Sequence, residues 1–283
     1  MTADRDLTAR ALLAFYQEAG VDALVGEATV DRLAGEPPAP APAPAIAKPN
    51  IAAKPAPSVP PRTISARELD LQGRAGAAAP PSPDAAVMAA REAARSAGSL
   101  EELRAILDAF EGCALRNTAS RLVFADGTPG ARVMFVGEAP GRDEDIAGLP
   151  FVGRSGQLLD RMMAAIGLDR TTAYIANIIP WRPPGNRTPT PQESAICLPF
   201  IQRQIELANP DVLVSLGGPS ATTLLNVIDG ILKSRGRWLT YQTGTREIRA
   251  IATLHPAYLL RQPLQKRLAW RDFLAIKKAL AGS

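Results

Sequence analysis

Cysteine and histidine are almost absent from this 283-residue chain, which holds Cys113 and Cys197 and a single histidine, His255. Two cysteines are too few for a disulfide framework. Long hydrophobic runs are missing as well: no stretch approaches the roughly 20 apolar residues of a membrane helix. The N-terminus, MTADRDLTARALLAFYQEAG, is too polar and acidic for a secretory signal. These absences lead to the expectation of a cytoplasmic protein without a membrane partner.

What is present is uneven. A hydrophobic fraction of 46% suits a globular protein, and the length leaves room for one sizeable core plus extensions. The 26 prolines concentrate in PPAPAPAPAIAKPNIAAKPAPSVPP between Pro37 and Pro61. Such a tract cannot bury a core and reads as an extended, semi-rigid tether. A second loose stretch runs from Gly76 to Pro83. Ahead of the tether, Leu7, Leu12, Leu13, Tyr16 and Val21 form one face of an amphipathic helix over 7–25, with Gly20 as a break. The expected layout is a helical segment over 1–36, a linker over 37–84 and a main domain over 85–283. The charge is polarised too. Residues 1–36 carry three basic and seven acidic side chains, whereas residues 229–283 carry eleven basic and three acidic ones. A basic end of that kind fits a polyanionic partner, although a solvated basic helix has the same composition.

From residue 85 helical patterns come first, with Ser99 and Glu102 spaced as a capping box. Strand-like runs follow at 132–136, 173–179, 211–216 and 248–254, separated by helical candidates at 156–166, from Pro191 to about Leu207, at 219–225 and at 258–280. Thr190-Pro191-Gln192-Glu193 combines a capping threonine, a proline at the first helical position and a glutamate three residues past the cap. Strands alternating with helices of this length predict an α/β fold with a mainly parallel sheet covered on both faces.

Residues with chemical potential gather where those strands end. Val133-Met134-Phe135-Val136 stops at Gly137-Glu138-Ala139-Pro140-Gly141, and such a turn at the carboxyl edge of a sheet is where open α/β folds bind ligands. By itself it is also what an ordinary strand-to-loop turn looks like. Asn177 sits in an otherwise apolar strand, so its carboxamide needs partners; one amide can both donate to and accept from a pyrimidine edge. Phe151, downstream of the glycine turn, can stack on a flat ring or simply pack in the core. His255 follows a strand and precedes Pro256, at the same edge as the glycine turn. The loop Trp181–Thr188 contains Arg182, Asn186, Arg187 and Thr188, all competent phosphate contacts.

Together GEAPG at 137–141, LPFVGRSGQLLD at 149–160, YIANIIPWRPPGNRTPTPQE at 174–193 and HPAYLL at 255–260 resemble the family 4 uracil-DNA glycosylases, over roughly residues 105–280. The resemblance implies a three-layer α/β/α sandwich with a short central parallel sheet. It also implies an enzyme that flips deoxyuridine from DNA and hydrolyses its N-glycosidic bond without a lyase step. By that pattern Phe151 stacks on the base, Asn177 reads its Watson–Crick edge and His255 faces uracil O2. Glu138, with Gly137 and Ala139, walls the water side, with Glu144 as a rival for positioning the water. Tyr258, Leu259 and Arg261 fill the gap left in the duplex, and Arg182, Asn186 and Arg187 contact DNA. The expected partner is uracil-containing DNA and the expected state a monomer, with a protein partner for the N-terminal helix. The alternatives are a uracil-DNA binding or crosslinking relative with little turnover, or a repair-complex adaptor that uses the N-terminal helix; crosslinking needs a second histidine, which the chain lacks.

Members of the resembled family usually hold a [4Fe–4S] cluster on four cysteines. Here Phe110 and Trp181 stand at two of those positions, leaving Cys113 and Cys197. Two thiolates cannot supply four-cysteine ligation. The expectation is a protein without the cluster, in which Phe110 and Trp181 fill the space and the remaining thiols lie buried, inert and close together.

Overall fold

The computed structural model describes residues 83–282. The helix expected over 7–25 and the tether expected from Pro37 onward, up to residue 82, lie outside the described residues. The helices in chain order are α1 (Pro83–Ser96), α2 (Leu100–Ala109), α3 (Arg142–Ala147), α4 (Arg154–Ala164), α5 (Pro191–Ala208), α6 (Gly218–Leu225), α7 (Ile231–Ser234), α8 (Pro256–Arg261) and α9 (Lys266–Ala281). The strands are β1 (Ala125–Gly127), β2 (Val133–Gly137), β3 (Tyr174–Asn177), β4 (Val212–Leu216), β5 (Trp238–Gln242) and β6 (Glu247–Thr253).

Helix α1 begins at Pro83, within the span read as linker. Proline is pre-set for the first helical turn, and Asp84 adds a favourable charge there. Its Ala86, Ala90 and Ala94 repeat at one helical turn and let it pack closely on α5. Ser99 caps α2 by accepting from the Glu102 N–H at 3.2 Å. The Glu102 carboxylate reaches past the cap to the Gly98 N–H at 2.7 Å, so the reciprocal half of the box falls one residue early. At α5 the box is complete, with Thr190 and Glu193 each accepting from the other's N–H.

The sheet order is β1-β3-β2-β4-β6-β5. The four central strands are parallel and correspond to the four runs read from sequence, while β1 and β5 are antiparallel edges. The edges escaped the sequence reading because Ala-Asp-Gly has no apolar pattern, and β5 buries only Tyr241 of its five residues. β2 is buried throughout and divides its side chains between two cores. Val133 and Phe135 face α4 and α9, where the Phe135 ring stacks on Phe273 at 5.9 Å. Met134 and Val136 face the cluster built by α1, α2 and α5. A sheet covered on both faces by helices is the three-layer sandwich.

The single helix expected from Tyr258 to Leu280 is instead broken into α8, a 3-10 turn (Pro263–Gln265) and α9. Pro263 has no N–H to continue α8 and pushes Gln262 to φ −126°, ψ 73°. No helix among the described residues is long and apolar enough to cross a membrane.

Candidate functional site at the carboxyl edge of the sheet

Parallel pairing brings the strand ends to one edge. Gly137 lies beside Asn177 in the β2–β3 register, and Leu216 beside Thr253 in the β4–β6 register, so the segments following these strands share one cavity. Its volume is about 610 Å³, and its walls include Glu138, Phe151, Asn177, Gly217 and His255.

The floor is assembled around Gly137. A Cβ there would fall 2.4 Å from Asn177 Oδ1 and 2.7 Å from the Phe151 ring, so the absent side chain lets the carboxamide and the ring meet over the backbone. Asn177 is 4% exposed, and its Oδ1 is the one buried side-chain N or O atom among the described residues without a hydrogen-bond partner. An orphan of that kind costs about 1–3 kcal/mol. A donor brought in from outside recovers it.

His255 caps α8, its Nδ1 accepting from the Ala257 N–H at 3.1 Å. The neutral ring must therefore carry its proton on Nε2. Burial, aided by the Arg261 charge, lowers the imidazole to about 4, so it stays neutral at ordinary pH. Its ring stands 5.5 Å from that of Phe151, tilted by 31°. The site thus offers an uncharged N–H donor beside an aromatic face.

The two glutamates differ in what they are free to do. Glu144 is 7% exposed and spends one oxygen on the Gly141 N–H at 3.1 Å and the other on the Gly153 N–H at 3.0 Å. It braces the glycine turn against the start of α4. Glu138 lines the cavity, and burial raises its pKa, as suits a carboxylate that can take up a proton.

On the rim, Asn186, Arg187, Thr188, Tyr258 and Arg261 border the cavity. Arg182 does not; it braces the loop from behind, donating to Asn186 Oδ1 at 2.7 Å with Asp145 4.0 Å away. Arg187 grips both Glu193 oxygens at 2.7 and 2.8 Å, and that contact holds Glu193 down at about 2. Leu259 corrects the sequence reading: it is 1% exposed, packed with Leu254 and Ala269, and faces the core rather than a duplex. The exposed apolar tips of this segment are Leu260 at 37% and Leu264 at 85%.

Gly217, Gly218 and Ser155 also line the cavity and were not singled out from sequence. Gly217 adopts φ 91°, and a Cβ on it would sit 3.0 Å from that of His255. The signal was available, since Gly217-Gly218 follows a buried strand just as Gly137 ends one.

The cysteines lie elsewhere, between α5 and the loop after α2. Both are free and fully buried, and they lie side by side. The neighbouring Cys113 thiol and then burial hold the Cys197 thiol well above its ordinary value. Trp181, 2% exposed, joins the same apolar cluster, and Phe110 meets Phe200 edge-on at 5.0 Å. Among the described residues no three His, Cys, Asp or Glu side chains converge as a metal site. Two neighbouring free thiols, in a cluster that also packs an indole and two phenyl rings, do not fit a four-thiolate iron–sulfur cluster.

Comparison with known proteins places the chain in a family. The profile of the uracil DNA glycosylase superfamily matches residues 124–274. A type-4 uracil-DNA glycosylase of Thermotoga maritima is 44% identical over 153 residues, 53% of this chain and 77% of that protein. One from Archaeoglobus fulgidus is 38% identical over 182 residues, 63% of this chain and 92% of that protein. One from Sulfurisphaera tokodaii is 36% identical over 185 residues, 64% and 84% respectively.

Proposed function

The chain belongs to the type-4 uracil-DNA glycosylases of the uracil DNA glycosylase superfamily, and from that premise we propose that it excises uracil from DNA by hydrolysing the N-glycosidic bond. The observation that carries this reading is the unpartnered Asn177 Oδ1 in the cavity floor. Uracil N3–H supplies the missing donor, while the amide nitrogen donates to O4. Cytosine presents an N3 lone pair and an amino group instead, which leaves acceptor against acceptor and donor against donor. A buried site mismatched in this way rejects strongly.

Flipping the nucleotide costs a few kcal/mol and is easiest at a mispair. In the cavity the base stacks on Phe151, and O2 meets the Nε2–H of His255. As the bond breaks, charge grows on the uracil oxygens and the sugar becomes cationic. A neutral N–H donor gains strength as the anion forms, which is stabilisation of the transition state rather than of the bound substrate. The Glu138 carboxylate favours the sugar cation and takes a proton from the attacking water. Glu144 lines the cavity too, but both its oxygens already accept from backbone N–H groups, which favours Glu138 in that role. Among the described residues no lysine lines the cavity to offer an amine for a lyase step. Tyr258, Arg261, Asn186 and Arg187 form the DNA-facing rim, and Leu264, with Leu260, replaces Leu259 as the apolar wedge.

In this reading the reaction needs no metal, and the corner of Cys113 and Cys197 serves packing alone. The deciding experiment is a strand-nicking assay on uracil- and cytosine-containing oligonucleotides with the wild type, Asn177→Asp and His255→Ala. Wild type leaves alkali-labile sites at uracil only, and each variant loses about 100-fold or more, the scale of a lost oxyanion donor. Undiminished activity in both variants would sink the assignment of the pocket.

A further inference from the structure

Phe151 stands in a backbone conformation that bulky residues avoid. Its φ is 56°, in the left-handed region, where a Cβ crowds the neighbouring carbonyl. Such a residue persists only when its surroundings over-determine it, and residues of this kind cluster at functional sites. Here two surroundings act on the Phe151 carbonyl. Gly156, in the first turn of α4, has no side chain; a Cβ there would fall 1.6 Å from that oxygen. From the other side Arg170, in the turn between α4 and β3, donates to the same oxygen through Nη2. Its Nη1 also donates to the Pro150 carbonyl at 3.2 Å. The guanidinium is itself held, by the Asp126 carboxylate on β1 and by Asp160 on α4 at 2.9 Å.

We propose that Arg170 is a positioning residue for base stacking: it acts through the Phe151 backbone to set the ring that meets the flipped base. The proposal deepens the uracil reading and rests on it. Only a planar fork with several fixed donors can grip two successive carbonyls and two carboxylates at once, so lysine is a poor substitute. The arrangement also gives the edge strand β1 a role, since Asp126 is its central residue and one of the two anchors. Rotating Phe151 out of its left-handed conformation would swing the ring away from Gly137 and His255, whose contacts define the stacking wall.

The test compares Arg170→Met, Arg170→Lys, Phe151→Leu and the Arg170→Met/Phe151→Leu double variant in single-turnover assays on a U·G duplex. Inhibition by free uracil and thermal melting are measured alongside. Misplacing a binding surface by about 1 Å can cost on the order of 100-fold, so Arg170→Met is expected to lose roughly 10- to 100-fold in rate. Uracil inhibition should weaken with it, and Arg170→Lys should fall between Arg170→Met and wild type. Because Arg170 acts through Phe151, the double variant should be no slower than the worse single one. Multiplying effects, or a lowered melting temperature with unchanged rate and uracil inhibition, would overturn the proposal. If Arg170→Met does not fold, Asp126→Asn decides the matter by the same two readouts. An active wild type with normal Arg170 variants refutes this inference alone, whereas an inactive wild type removes the glycosylase reading with it.

Discussion

The segment leaving β3 serves two regions of opposite character. Asn177 ends the strand and turns a carboxamide into the cavity, where its Oδ1 has no partner. Trp181, four residues on, is buried among apolar side chains in the cluster that also holds the two cysteines. One region keeps a polar group unsatisfied at a cost; the other is closed and apolar. A buried group left without a partner is stable only if something outside compensates or if selection tolerates the loss. The cavity therefore reads as the region suited to a ligand and the cysteine corner as finished packing.

If the corner is finished packing, its residues should matter for stability and not for rate. Trp181→Ala gives the largest effect, a loss of about 3–5 kcal/mol for a buried tryptophan truncated to a methyl, measured by urea unfolding. Trp181→Phe should recover most of it, and activity per folded molecule should stay within a few-fold. A rate collapse in a folded Trp181→Phe protein would break the contrast between the regions. The cavity predicts the reverse. Gly137→Ala drives a methyl into Asn177 Oδ1 and the Phe151 ring, so the rate should fall about 100-fold. That corresponds to about 2.7 kcal/mol of activation energy, beside an overpacking cost of about 1–3 kcal/mol in stability, smaller than that of Trp181→Ala. A normal rate would mean that Asn177 and Phe151 can part easily, and a floor so loose could not read one base edge against another.

These contrasts were partly legible in the sequence, and the boundary is physical. The four parallel strands were legible because strands buried on both faces read as continuous apolar runs. Asn177 stood out because a carboxamide inside such a run demands a partner. The edge strands were not legible: β1 exists through pairing with β3, not through a pattern of its own. Leu259 and Leu260 are adjacent letters about 100° apart on α8, so only the docked helix decides which of them faces the core. Glu144 and Glu138 are alike on paper, and the backbone N–H groups of Gly141 and Gly153 separate them. The clamp on Phe151 was invisible for the same reason, since Asp126 and Arg170 lie 44 residues apart and meet only in the fold.

The smallest expected effect is the most pointed test of the corner. Cys197→Ala removes a sulfur from a fully buried site and leaves a small void beside Cys113, which should cost about 1 kcal/mol of stability. Rate and DNA affinity should not change, because neither thiol lines the cavity. A thiol held well above its ordinary pKa is a poor nucleophile, so native Cys197 should also resist alkylation that the unfolded chain accepts readily. The same corner in a cluster-bearing protein behaves in the opposite way: its thiolates carry the metal, and losing one unfolds or inactivates the protein. Anaerobically purified wild type should accordingly contain no stoichiometric iron and show no visible charge-transfer absorption. Iron at cluster stoichiometry, lost on Cys197→Ala together with the fold, would reverse the comparison and make the cysteine corner the region that depends on an outside partner.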